Sequence, residues 1–437
     1  MRTVVAHGWR PAAMAISLLW LATLAGAVMV FLAQVVLARR LGPAEYGLFA
    51  SSLATVTMIA PLAGFGLSQF RLKAYGSEGW AADRWLRPAL RFSLVTTALA
   101  MAGVVAWALW GNPVDAETRS TLLLLAPVII GVFAVDLLGS KLRLEERHRA
   151  LAGWQLLMPS GRLAVALLAV GIAGIDAHEV AFGYGLVALL IAATAMPQLA
   201  AMKRGEMKLT GHGPRQAPPS SMATPGAWQL WSQAWAYGVA AALYPVFFQV
   251  STVLLKYLDG NVQAGHYGVA LAVMSALYLF PATIYQKFLL SRLHRWAVHD
   301  KPRFWRVYRL GNLAMLAVGL FTGLALWLLS PLLVSIAFGP AFADVAILLG
   351  ILAICVPIRF LSTSVGSALL TESHMRYRVL AMLVATVVAV ALTCLLIPRL
   401  GAIGAAWATV VAEATLLLLM YLGVLRIKPR TSETTQS

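Results

Sequence analysis

The passage AAMAISLLWLATLAGAVMVFLAQVVL (residues 12–37), followed by ARRLGPAEYG (38–47), decides the fold. The first string carries no charge across residues 12–37, enough for about 39 Å of helix at about 1.5 Å per residue. That exceeds a hydrocarbon core of about 30 Å, so the run spans a membrane with some tilt. The second string is a polar turn built on Gly42-Pro43, after which apolar sequence resumes from Leu48 to Gln69. Both runs are longer than the apolar core of a cleavable signal peptide, so the first reads as a permanent span.

Composition agrees. Apolar residues make up 60% of the 437 and charged residues 12%, with mean hydropathy +0.79. Soluble domains hold roughly 45–50% apolar and about 25% charged residues. The chain therefore reads as an all-α, polytopic membrane protein. Apolar runs of about 20 residues fall at 12–37, 48–69, 88–110, 121–140, 154–175 and 179–200, then at 229–256, 267–290, 310–337, 344–370, 379–397 and 402–425. This predicts twelve spans in two six-span lobes, 1–200 and 227–437, joined by a polar cytoplasmic linker, 201–226, rich in basic residues and proline.

Short cytoplasmic loops are enriched in Lys and Arg. With the N-terminus inside, the inner segments hold 26 of the 34 basic residues and the outer ones hold five: Arg39, Arg40, Arg119, Lys256 and Arg399. Both termini are thus expected in the cytoplasm, and the net charge of +17 is explained without nucleic acid. Trp228, Trp231 and Trp235, and Trp107 and Trp110, stand at span ends like an interfacial aromatic belt. Cys355 and Cys394 both lie in apolar runs, which argues against a disulfide framework.

The turn recurs. Val36 to Gly42 with Tyr46-Gly47 parallels Val253 to Gly260 with Tyr267-Gly268, and Arg147-His-Arg-Ala-Leu-Ala152 parallels Arg376-Tyr-Arg-Val-Leu-Ala381. Six spans return the chain to its starting side, so the halves read as parallel repeats about an axis along the membrane normal. Such repeats suit alternating access, with substrate held between them.

These same residues carry a resemblance. Leu37-Ala-Arg-Arg-Leu-Gly-Pro-Ala-Glu-Tyr-Gly47 resembles the signature of bacterial polysaccharide-repeat-unit flippases, a branch of the multidrug/oligosaccharidyl-lipid/polysaccharide exporter superfamily. Leu396-Ile-Pro-Arg-Leu-Gly-Ala-Ile-Gly-Ala-Ala-Trp-Ala-Thr-Val-Val-Ala-Glu413 resembles that family's C-terminal signature, and Phe338-Gly-Pro-Ala-Phe342 is compatible with it. The resemblance implies a MATE-like exporter fold of two six-helix lobes. It also implies a substrate, an undecaprenyl-diphosphate-linked oligosaccharide flipped across the inner membrane for lipopolysaccharide or exopolysaccharide synthesis. Polymerase and other polysaccharide-assembly proteins are the partners it suggests, beside the bilayer itself. Relatives that flip the peptidoglycan precursor have fourteen spans, for which this chain has no room. The drug-extruding branch often carries an acid in its first span, which is uncharged here.

Charges inside spans are functional candidates, since placing one in hydrocarbon costs at least about 2.5–3.5 kcal/mol. Arg162, in the fifth span, and Arg359, in the tenth, are expected near mid-bilayer, where a guanidinium fork matches the oxygens of a diphosphate. The alternative is that either pairs with an acid, Glu413 and Asp136 being the obvious partners. Arg39, Arg40 and Lys256, at equivalent outer span ends, read as receivers of the emerging diphosphate or as caps on the last carbonyls of their own helices. Glu413 and Asp136 are candidates for proton or sodium coupling. Gln34 and Gln69 are candidates for sugar hydroxyls, although helix–helix hydrogen bonding is the commoner use.

Enzyme signatures are absent from the sequence. It lacks a Gly-rich phosphate loop ending in Lys-Ser/Thr, and it shows no His/Cys metal spacing. No cofactor or metal is expected. A polysaccharide polymerase or ligase would need a large outer loop, and the predicted outer loops are short. The function expected is therefore a flippase, with an ion-coupled multidrug exporter as the alternative and a polymerase or ligase third.

Overall fold

The computed structural model describes residues 9–111, 114–209, 224–283, 301–370 and 375–427. Part of the predicted linker (210–223) lies outside the described residues, as do the loop cations Arg2, Arg215, Lys287, Arg292, Arg295, Lys428 and Arg430. Among the described residues the secondary structure is helical throughout. In chain order the helices are α1 (Trp9–Ile59), α2 (Leu67–Glu78), α3 (Leu86–Trp110), α4 (Ala116–Leu125), α5 (Val128–Leu144), α6 (His148–Gly171) and α7 (Ala177–Lys203). They continue with α8 (Ala227–Asp259), α9 (Asn261–Thr283), α10 (Lys301–Ala337), α11 (Val345–Leu352), α12 (Cys355–Ser367) and α13 (Met375–Ile427).

Among the described residues, 9 continuous stretches are long and apolar enough to cross a membrane. The first, Ser17–Trp110, contains three of the predicted spans and the last, Arg376–Arg426, contains two. The remaining stretches overlap one each, so each of the twelve predicted runs overlaps one of these stretches, with residues 284–290 of the eighth run lying outside the described residues. The two long stretches run through tight turns that hardly interrupt the helix. Gly42 (φ 75°, ψ 174°) breaks α1 and Pro43 restarts it, a first-turn position where the missing N–H costs nothing. Gly401 (φ 57°, ψ −138°) does the same in α13, three residues after Pro398.

Three spans predicted as continuous are interrupted. The second ends at Ile59; Gly64, Phe65 and Gly66 then take positive φ before α2 begins. A Cβ on Gly66 would lie 2.5 Å from the carbonyl carbon of Tyr237, so α8 passes against this break. The fourth span divides at Pro127 into α4 and α5. Gly185 of α7 packs there, its missing side chain leaving room for the Leu124 carbonyl. The tenth span divides between α11 and α12, ahead of Pro357, and Gly323 of α10 closes on the Ala353 carbonyl. In each case proline or glycine removes the helix's own hydrogen bond and a neighbouring glycine lets another helix approach closely.

The chain packs as two compact units. One comprises 1–276 with 333–345, the other 277–332 with 346–437. In the first, Phe70, Tyr75, Trp80 and Trp85 form a buried cluster with Met207, Leu209 and Leu230. At the two equivalent turns the backbones nearly touch. A Cβ on Gly47 would overlap the Asn261 carbonyl and one on Gly265 would overlap the Pro43 carbonyl. Tyr46-Gly47 and the segment Gly265–Gly268, which contains the Tyr267-Gly268 that the repeat aligned with it, therefore pack against one another within this unit. In the second unit α12 and α13 pack side by side, and Gly366 and Gly423 accommodate Met420 and Tyr377.

Candidate functional site

Arg162 sits fifteenth in the 24-residue helix α6, three residues after Pro159. Its guanidinium lies over the ring of Tyr184, 5.4 Å from the centroid. Its Nε is buried without a hydrogen-bond partner, and Arg162 forms no ion pair among the described residues. Gly161 and Gly183 let α6 and α7 approach here, each meeting a valine of the other helix, so Tyr184 is held under the guanidinium. Tyr184 is buried and packs edge-on against Phe49, centroids 5.0 Å apart. One turn back along α1, the buried Tyr46 donates its hydroxyl hydrogen to Gln34 Oε1 at 2.8 Å. Gln34, Tyr46, Phe49, Tyr184 and Arg162 thus form one continuous polar–aromatic line within the first unit. Its charge is positive, and no acid pairs with it among the described residues.

Gln69 and Asp136 meet elsewhere in that unit, in the lining of a cavity of about 370 Å³ beside the α1–α2 break. Arg143 and Gln155 share the lining, and Gln155 Oε1 is buried without a partner. This cavity offers a carboxylate, a cation and two amides, a donor set suited to hydroxyl-rich ligands.

The outer-end cations are spread over separate partners. Arg39 Nη2 donates to the Ile336 carbonyl at 2.7 Å, at the end of α10. Arg40 donates to Ala169 and Ile172 at 3.3 and 2.6 Å, at the end of α6. Both satisfy terminal carbonyls, but those of neighbouring helices, whereas the sequence pointed to their own. Glu45 accepts the Ala177 N–H at the start of α7 (3.0 Å), one of the donors a helix cannot satisfy by itself. Lys256 is buried, donates to Asn261 Oδ1 at 2.7 Å and faces the field of Asp115, Glu117 and Glu45.

In the second unit Arg359 and Glu413 form a buried ion pair, Nη1 to Oε1 3.1 Å and to Oε2 3.3 Å. Glu413 is 1% exposed and Arg359 8%. The guanidinium also lies over Tyr278, 5.2 Å from the ring centroid. Of the two alternatives open for Arg359, an acid partner is the one found.

Sequence reasoning missed Tyr46 and Tyr184 as site residues, and it missed Gln155. Tyr184 stands between Gly183 and Gly185, a small-residue setting whose ordinary use is close helix packing. It also missed an aromatic groove of about 830 Å³, lined by Phe65, Trp107, Trp231 and Tyr257. Trp231, read as an interfacial anchor, stacks on Phe65 with centroids 4.9 Å apart, and Trp107 donates to the Tyr257 hydroxyl at 3.0 Å.

No protein-family model and no curated protein sequence matches this chain. Solved structures do resemble it. An inward-facing multidrug-resistance MATE family transporter of the MOP superfamily superposes with TM-score 0.70 at 12% identity, over 93% of this chain and 96% of that one. The lipid II flippase MurJ, in an inward closed conformation, gives 0.67 at 14% identity, over 93% and 87%. A MOP superfamily transporter from Pyrococcus furiosus, described as having a binding pocket of reverse polarity, gives 0.54 at 15% identity, over 96% of each chain. At these identities the likeness is one of architecture: the chain has the polytopic, MATE-like fold that drug exporters and a lipid flippase share.

Proposed function

We propose that the protein is a flippase. It moves an undecaprenyl-diphosphate-linked oligosaccharide repeat unit across the bacterial inner membrane by alternating access, with both termini cytoplasmic. The observation that carries this is Arg162, a mid-helix guanidinium resting on Tyr184 with no acid paired to it among the described residues. A cation kept in that state in a membrane span fits a ligand that brings its own negative charge, and a diphosphate supplies both the charge and the paired oxygens that a guanidinium fork matches. Arg359 is already neutralised by Glu413, so its part in binding requires that pair to open. Gln34, Gln69, Arg39, Arg40 and Lys256 are assigned to the sugar and to the outer end of the route. Asp136 and Glu413 are assigned to ion coupling. The lobes that rock are 1–200 and 227–437, with 201–226 between them. Translocation delivers the repeat unit to the polymerase side of polysaccharide assembly.

The test is flipping of a fluorescent undecaprenyl-diphosphate oligosaccharide in proteoliposomes. A hydrogen bond to a charged group contributes about 1.5–3 kcal/mol, so Arg162→Gln is expected to slow flipping about 10- to 100-fold, with Arg162→Lys between. Full flipping by Arg162→Gln at normal protein levels would remove the proposal's main support.

A second reading is favoured by the aromatic groove. A cavity with Phe65, Trp107, Trp231 and Tyr257 in its walls suits amphipathic compounds. An ion-coupled exporter would confer resistance to such compounds on a sensitive strain and leave the lipid-linked substrate untouched.

A further inference from the structure

We propose that the groove between the N-terminal halves of α1 and α6 is a resident site for an anionic phospholipid, separate from the transport route. The groove encloses about 1090 Å³, at or above the roughly 300–1,000 Å³ of cavities that take drug-sized ligands. Its walls are apolar. Leu18, Leu21 and Ala25 recur at helical spacing on α1, facing Ala152 and Leu156 of α6. Its polar end is made by Arg147, His148 and Arg149, at the start of α6.

The charge at that end suits a phosphate. Residues 141–149 hold four basic side chains and two acids. One of the acids, Glu145, lies 3.6 Å from both Lys141 and Arg147, so it neutralises neither fully. Glu146 also lines the groove and weakens the field without reversing it. Arg149 is exposed and forms no ion pair or hydrogen bond among the described residues. His148 Nδ1 is buried without a partner. The positive end of the α6 dipole adds to this field. Basic pockets between membrane helices, with acyl-compatible walls below them, are where anionic headgroups bind.

The geometry favours a lipid that stays over a substrate that passes through. At the deep end the helices close on each other: a Cβ on Gly26 would lie 3.3 Å from Pro159 Cγ. The slot is therefore blind, with room for hydrocarbon and one headgroup but no inward exit for an oligosaccharide. On the orientation proposed above, the lipid belongs to the cytoplasmic leaflet.

The experiment uses the full-length protein in nonionic detergent, titrated with phosphatidylglycerol or phosphatidylcholine and read by native mass spectrometry, with undecaprenyl phosphate as competitor. Phosphatidylglycerol is expected to be retained in preference to phosphatidylcholine. Arg149→Gln is expected to weaken retention about five-fold, the effect of one cation at a membrane surface. Gly153 lines the groove and a Cβ there meets nothing within 4 Å, so Gly153→Leu is expected to fill the slot and exclude the lipid without lowering the melting temperature. Equal retention of the two phospholipids, or undiminished retention of phosphatidylglycerol by both variants, would overturn the proposal. So would displacement by undecaprenyl phosphate at equimolar level, which would make the groove a substrate entrance. A protein that holds the lipid but does not flip would refute the flippase reading alone.

Discussion

Removing one partner of the Arg359–Glu413 pair should cost far more than removing both. The pair is buried, with Arg359 8% and Glu413 1% exposed, and its two hydrogen bonds measure 3.1 and 3.3 Å. Breaking a buried pair from one side costs about 3–5 kcal/mol because a charge is left without compensation, whereas replacing both members with apolar residues of similar volume is often neutral. The two single variants should differ. A carboxyl left alone can take up a proton and become neutral; a guanidinium cannot. Glu413→Gln therefore leaves a charge without its carboxylate, moderated in part by the Tyr278 face, a cation–π contact adding back about 0.5–2 kcal/mol. The expected order of stability is wild type, close to Arg359→Met/Glu413→Leu, then Arg359→Met, then Glu413→Gln. Cys355 provides the assay. It is fully buried one turn before Arg359 on α12, while the other cysteine, Cys394, is exposed. In a Cys394→Ser background, the rate at which a thiol-reactive fluorophore labels Cys355 reports opening of this region. A loss of about 3 kcal/mol should raise that rate about a hundredfold in Glu413→Gln. Wild-type labelling in Glu413→Gln, or a double variant as labile as the worse single, would refute the reasoning.

Other consequences are equally direct. Gly47→Ala puts a methyl group into the Asn261 carbonyl and should destabilise the protein by about 1–3 kcal/mol or prevent folding, read as lost membrane expression. Ala50→Cys/Gly268→Cys should form a disulfide, since a Cβ on Gly268 would lie 3.2 Å from that of Ala50 and bridged cysteines typically have Cβ atoms about 3.5–4.5 Å apart. If the proposed lobes part at this contact, oxidation should arrest transport and reduction restore it; unchanged transport when oxidised would exclude separation here. Asp115 caps α4 by accepting the Thr118 N–H at 2.7 Å. Partial burial raises its pKa, but hydrogen bonding to Thr118 and the charge of Lys256 outweigh this and hold it below the ordinary value of 3.8. A depressed carboxylate stabilises the fold above that ordinary value, and the contribution is lost as pH falls through the folded one. Asp115→Ala should therefore cost about 1 kcal/mol near neutrality, and the difference from wild type should shrink below pH 3.8 in thermal melts.

How far the sequence reveals this structure depends on the range of the cause. The spans are legible because a run of about 20 apolar residues has one low-energy use in a bilayer, and the turn at Gly42-Pro43 is legible because the chain must reverse there. The interruptions at Gly64–Gly66, at Pro127 and before Pro357 are only half legible. Glycine and proline mark the weak points, but whether a helix breaks depends on a partner, here α8, α7 and α10, arriving to pack against the break. Arg359 and Glu413 were a short list because so few charges lie inside the spans. Arg71 shows the opposite case. It reads as one more inner-loop cation, yet it is buried, donating to Ser140 Oγ at 3.4 Å and Met202 Sδ at 2.9 Å. Nothing local distinguishes it from exposed Lys73. Tyr184 under Arg162 and the groove beneath Arg149 were hidden for the same reason: each needs two helices in register before its chemistry exists.

Arg39 and Arg40 have a consequence for how this protein is made. On the proposed orientation these are cations that membrane insertion must carry against the prevailing charge asymmetry, and after insertion their guanidinium groups tie the ends of α10 and α6 to the turn in α1. Neutralising them should ease biogenesis and loosen this rim of the mature protein. Production and durability would then pull these two positions in opposite directions, and yield alone would mislead anyone selecting improved variants there.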